Sequence, residues 1–72
     1  MHLARVMKVL EAVATAGRPI TASEVQQLTD LPRPTCYRLL QSMQAEQLLD
    51  EVSSGRFIVG ESLVRLALLG QT

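Results

Sequence analysis

Between Leu3 and Ala16 the apolar residues Leu3, Val6, Met7, Leu10, Val13 and Ala14 recur at intervals of three and four. That period predicts an amphipathic helix with one face turned to a core. Gly17, followed by Arg18-Pro19, ends it. Thr21-Ala22-Ser23-Glu24 has the form of a capping box, in which the Thr21 hydroxyl accepts from the Glu24 amide and the Glu24 carboxylate accepts from the Thr21 amide. A second helix is therefore predicted from Ala22, turning Val25 and Leu28 inward. It has room for only about two turns, because Asp30-Leu31-Pro32 follows and Pro32 disfavours helical geometry at Leu31. Pro34 suits the first turn of a third helix. On it Cys36, Leu39, Leu40 and Met43 fall at i, i+3, i+4 and i+7, and the pattern runs to about Glu46.

Beyond Glu46 the period changes. Leu48 to Val52 and Arg56 to Val59 are two short runs around Ser53-Ser54-Gly55, the pattern of a small hairpin. Gly60 ends it, and Ser62 to Leu69 reads as a final helical segment. There Leu63, Val64, Leu66, Ala67, Leu68 and Leu69 surround the axis, with Arg65 the one charge. One face is expected to pack on the first helix, and the other to need cover from a second subunit or from further chain. The fold class expected is mainly α with a small β-hairpin wing: a three-helix core, the wing and a C-terminal linker helix.

Composition narrows the function. Seventy-two residues make one small domain, which disfavours an active site set between lobes. With 47% hydrophobic and 19% charged residues the chain is too apolar for a disordered tail. Seven basic and seven acidic residues cancel to a net charge of zero, which excludes a nonspecific polycation. Cys36 is the single cysteine, so no internal disulfide forms, and no Cys/His spacing suggests zinc. It lies on the apolar stripe and reads as a buried structural thiol. His2 stands alone, and neither paired carboxylates nor a glycine-rich phosphate loop is present. No catalysis, cofactor or metal is expected. No apolar run approaches the ~20 residues of a membrane span and nothing reads as a signal peptide, so a soluble, cytoplasmic protein without membrane contact is expected.

Two helices joined by a short turn, the first capped and brief and the second longer, make a helix-turn-helix, whose second helix enters the DNA major groove. A plain three-helix bundle would show the same stripes, but the charge distribution favours the former. Residues 31–45 hold Arg33 and Arg38 and no acidic residue, a positive stretch in a neutral chain. With the apolar stripe inward, Arg33, Thr35, Tyr37, Arg38, Gln41, Ser42 and Gln44 face outward. Arginine can grip guanine, glutamine can read adenine, and hydroxyls can bind phosphate oxygens. Arg33, Thr35, Tyr37, Arg38 and Gln41 are the candidate DNA contacts on this helix. Arg56, beside the hairpin glycine, is a further candidate for phosphate or the adjacent minor groove, whereas Asp50 and Glu51 would be repelled by DNA unless turned away. A winged-helix module that uses the same surface for protein contact is the alternative.

Several stretches in order carry a family resemblance. Ser23-Glu24-Val25, then Leu31-Pro32-Arg33-Pro34-Thr35-Cys36-Tyr37-Arg38-Leu39-Leu40, then Gly55-Arg56-Phe57-Ile58-Val59-Gly60 resemble the N-terminal DNA-binding domain of IclR-family bacterial transcriptional regulators. The resemblance implies that residues 1–60 form a winged helix-turn-helix and 61–72 begin a linker helix, with an effector-binding domain that is absent from this chain. It further implies a recognition helix at about 34–46, an operator of double-stranded DNA, a homodimer, and a small-molecule effector acting only through that other domain. Two positions depart from the family pattern: Asp30 and Gln47 stand where glycine is usual. Both must then support turns that glycine makes most easily.

Overall fold

The structure, a computed structural model, describes residues 3–71; His2 lies outside them. The elements run α1 (Leu3–Thr15), β1 (Ile20–Thr21), α2 (Ala22–Thr29), α3 (Arg33–Ala45), β2 (Leu49–Ser53), β3 (Arg56–Val59) and α4 (Glu61–Leu69). This is the expected winged helix-turn-helix, with one strand more than the hydrophobic pattern disclosed. Ile20 and Thr21 pair antiparallel with Phe57 and Arg56, giving a sheet of order β1-β3-β2. Two residues are too few to show a period. The added strand ties the start of α2 to the wing.

The core joins all three helices to the sheet: Val9 and Val13 from α1, Ile20, Val25, Leu31, then Cys36, Leu39, Leu40 and Met43 from α3, with Leu49 and Phe57 from the wing. The four α3 residues are the predicted stripe, and Cys36 is fully enclosed, its burial raising the thiol pKa above the ordinary value. On α1 the buried line is displaced from the expected one. Val9 is fully buried, whereas Leu3 and Met7 are 62% and 49% exposed. The α1 sequence is apolar across a wide arc, and packing selects only the part centred on Val9 and Val13.

Leu28, expected inward, is 63% exposed, and its neighbour Thr29 is buried instead. Val25 and Thr29 are one i, i+4 step apart, so both look onto α1 and α3 while Leu28 is turned off that line. The Thr29 hydroxyl donates to the Val25 carbonyl at 2.8 Å, which removes the cost of burying an unbonded polar group.

At the start of α2 the capping box is complete: the Glu24 amide donates to Thr21 Oγ1 at 3.2 Å and the Thr21 amide donates to Glu24 Oε1 at 3.0 Å. Arg18 adds an ion pair to the same carboxylate. The Arg18 hydrogen bond first, and the Thr21 amide second, lower the Glu24 pKa to about 2. A carboxyl depressed in the folded state adds stability above its unfolded value near 4.3, which is lost as pH falls towards the folded value. The stability difference between wild type and Glu24→Gln is accordingly expected to be largest at neutral pH. It shrinks between about pH 4.3 and pH 2, as thermal unfolding followed across that range would show.

Asp30 and Gln47 both occupy the left-handed region, at φ 56° and φ 64°, as the departures from the glycine pattern require. Asp30 closes α2, its amide donating to the Gln26 carbonyl. A non-glycine residue there costs roughly 1–2 kcal/mol, against roughly 0.4–1 kcal/mol for the added freedom of glycine in the unfolded chain. Asp30→Gly is expected to stabilise the domain by up to about 1 kcal/mol, read as a higher unfolding temperature.

The last helix is placed differently from expectation. It packs against β2, rather than chiefly on α1. Glu61 N–H donates to Asp50 Oδ2 at 3.0 Å, a carboxylate at a helix N-terminus, and Ser62 Oγ donates to Gln47 Oε1 at 2.9 Å. Val64, Leu66 and Leu68 stay exposed.

Candidate nucleic-acid interface

Helix α3 begins at Arg33, with Pro32 as its N-cap and Pro34 in its first turn. Its buried stripe fixes what the opposite side presents. At about 100° per residue, Arg38 and Gln41 lie near the middle of the outer face. Arg33, Tyr37 and Gln44 lie on the flank towards the wing, and Thr35 and Ser42 on the flank towards α1.

On the wing flank the Arg33 guanidinium sits 5.2 Å from the centre of the Tyr37 ring, a cation–π contact that orients both side chains. Tyr37, Gln41, Gln44, Glu51 and Gly55 line an open groove of about 280 Å³ between α3 and the wing. The wing turn is fastened to its own strand: Gly55, at φ 67°, donates its amide to Glu51 Oε2 at 3.0 Å. The other oxygen of Glu51 accepts from Gln44 Nε2 at 3.4 Å. The register between β2 and β3 shifts between Glu51 and Ser53, a bulge that bends the wing. Asp50 and Glu51, expected to oppose DNA, are both engaged with amides, Asp50 at α4 and Glu51 at the wing turn.

On the opposite flank Arg5, Thr35, Arg38, Leu39 and Ser42 line a cleft of about 170 Å³ between α1 and α3. Thr35, expected fully outward, is half-buried here, while Arg38, Gln41 and Arg56 are exposed. The structure thus brings Thr35 and Arg38 into one cleft, stacks Arg33 on Tyr37, and places Gln41 with Tyr37 on the groove. Arg56 lines neither and stands at the start of β3, paired in register with Ser53 and Thr21.

Arg5 was not among the candidates from the sequence. Its one signal is that it lies off the buried line of α1 with Lys8 three residues on. Its nearness to α3 is a tertiary fact. Among the described residues the one ion pair is Arg18–Glu24, so Arg5, Arg33, Arg38 and Arg56 have no carboxylate partner there. They are four of the seven cations of a neutral chain, gathered on α3, the wing and the adjoining end of α1. No His, Cys, Asp and Glu cluster suited to a metal occurs among the described residues, and no described helix is long and apolar enough to cross a membrane.

Comparison with known proteins agrees with this fold. The sequence model of the IclR helix-turn-helix domain matches residues 2–53. An IclR homolog from Microbacterium sp. strain HM58-2 is 33% identical, with a TM-score of 0.88 over 97% of this chain and 29% of its own. The repressor BlcR of Agobacterium tumefaciens is 32% identical, with a TM-score of 0.80 over 92% of this chain and 26% of its own. HmgR of Pseudomonas aeruginosa, at 20% identity and a TM-score of 0.81 over 96% of this chain and 29% of its own, shares the fold. No curated protein sequence matches significantly. The chain spans under a third of the length of these solved relatives. With the family's helix-turn-helix domain matched over most of its length and similar structures covering nearly all of it, the chain belongs to the IclR family.

Proposed function

We propose that this chain is the operator-reading domain of a bacterial transcriptional regulator, binding double-stranded DNA with residues 34–46 in the major groove. The observation that carries this is the outer face of α3, where Arg33 and Arg38 have no carboxylate partner among the described residues and Tyr37 and Gln41 stand beside them. Family and fold, those of transcriptional regulators and not of enzymes, support the same reading. Arg38 and Gln41, at the middle of the face, read base edges; Thr35, Tyr37, Arg33 and the wing residue Arg56 hold the backbone on either side. Residues 1–60 form this reading head and 61–72 begin the connection to an effector-binding domain. An IclR homolog from Microbacterium hydrocarbonoxydans was solved in complex with 4-hydroxybenzoate, which supports a small organic effector bound outside the region spanned here. The setting is the cytoplasm, where operator DNA is found. Selection from a random duplex pool tests the reading: enrichment of one motif is expected, and an unenriched pool contradicts it.

The domain acts as a homodimer. Val64, Leu66 and Leu68 are exposed apolar side chains spread around α4, of the kind a second subunit covers. Leu66→Asp with Leu68→Asp is expected to shift the chain to monomer in sedimentation analysis with the fold intact, because both side chains are more than half exposed. An unaltered sedimentation profile places the dimer contact elsewhere.

A further inference from the structure

We infer that the cleft between α1 and α3 seats a backbone phosphate of the bound DNA, with Arg5 supplying the grip from α1; this rests on the DNA-binding reading above. Two different helices line the cleft with polar residues, Arg5 from α1 and Thr35, Arg38 and Ser42 from α3. Leu39 forms part of the lining and is only 8% exposed. Neither arginine has a carboxylate partner among the described residues, although the chain carries seven acidic groups. Two cations without carboxylate partners beside one cleft make it attractive to an anion. The guanidinium fork of Arg5 together with the hydroxyls of Thr35 and Ser42 matches the oxygens of a phosphate, while Arg38, nearer the middle of the outer face, stays with the base edges. The volume, about 170 Å³, is several times the roughly 30 Å³ of a water molecule.

The position of the cleft fits the same ligand. A helix with its side chains is about 10–12 Å across, and the major groove is about 12 Å wide. A helix seated there has its middle line on the base edges and both flanks against the sugar–phosphate walls. The cleft lies on the α1 flank of α3, where one wall passes. Arg5 therefore sets how far α3 enters and along which strand it lies, without reading sequence. Lys8, three residues further along α1, lines a separate groove with Met7, Glu11 and Leu31, and Arg5 stands on the ridge between the two.

The test uses the 72-residue chain, a duplex selected by it and a duplex of random sequence, with affinity measured across a range of salt. Arg5→Ala is expected to weaken both duplexes by the same factor and to reduce the slope of log affinity against log salt by about 0.9. Arg5→Lys is expected to keep the slope, and Lys8→Ala to leave it at the wild-type value. Ser42→Asp, which brings a carboxylate to the cleft from α3, is expected to weaken both duplexes and provides a second variant. A wild-type slope in Arg5→Ala, an equal loss of slope in Lys8→Ala, or unchanged binding by Ser42→Asp overturns the phosphate seat while wild-type binding stands. Absence of salt-sensitive binding by the wild-type chain overturns the DNA reading itself, and the seat with it.

Discussion

Arg38→Ala is expected to lower affinity for the selected duplex by about five- to 150-fold, the range of about 1–3 kcal/mol that one bidentate arginine–guanine contact supplies. It is also expected to narrow the gap between selected and random duplex, since the guanidinium at this position reads sequence. Arg38 is exposed and forms no ion pair among the described residues, so thermal unfolding of the variant stays close to wild type. Arg38→Lys keeps the charge and restores little discrimination, because an ammonium does not reproduce the planar fork. This sets Arg38 apart from Arg5, whose removal acts equally on all sequences. Unfolding of Arg38→Ala would place the residue in the core and rotate the face of α3 assigned to DNA.

Gly60→Ala is expected to destabilise the domain severely, lowering its unfolding temperature well below that of wild type. A Cβ at this position would meet the Gln47 carbonyl oxygen at 2.2 Å and the carbonyl carbons of Gln47 and Leu48 at 3.0 Å. The obstacle is backbone on both sides. Gly60 also donates its amide to the Leu48 carbonyl at 2.8 Å, so the end of β3 cannot move away without breaking that bond. Its φ of −64° suits any residue; the glycine is required by the approach of two chain segments and not by conformation. Overpacking in a tight site costs about 1–3 kcal/mol or more, comparable with the roughly 3–5 kcal/mol that a core of this size supplies. Circular dichroism across a temperature ramp would register the unfolding, and a variant as stable as wild type would contradict the close approach.

Helices were legible where each residue reports on its own surroundings. Cys36, Leu39, Leu40 and Met43 at helical spacing gave α3, and Thr21 with Glu24 gave the start of α2, because both signals are local to the helix itself. The strand Ile20–Thr21 was not legible, since its existence depends on Phe57 and Arg56 lying alongside. Leu28 and Thr29 show the same limit in another form. Hydrophobicity favoured Leu28 for the core, while the direction of the packed face chose Thr29 and supplied a carbonyl for its hydroxyl. The candidate interface divides in the same way. Arg33, Tyr37, Arg38 and Gln41 were available from the helix alone, whereas Arg5 entered only when α1 was laid beside α3. The engagement of Glu51 with the amide of Gly55 was likewise hidden, because it depends on how the hairpin closes.

Affinity of the wild-type chain for duplex DNA, measured across a range of salt, tests the central claim most directly. Arg5, Arg33, Arg38 and Arg56 are exposed and have no carboxylate partner among the described residues. If Arg5, Arg33 and Arg56 each neutralise one phosphate per subunit, log affinity falls against log salt with a slope of roughly −2.7 per subunit, at about −0.9 for each phosphate. A steep decline of this order, with a preferred duplex held more tightly than a random one at every salt concentration, is the result expected. Absence of salt-sensitive association at low salt would contradict it and leave the outer face of α3 to a protein partner.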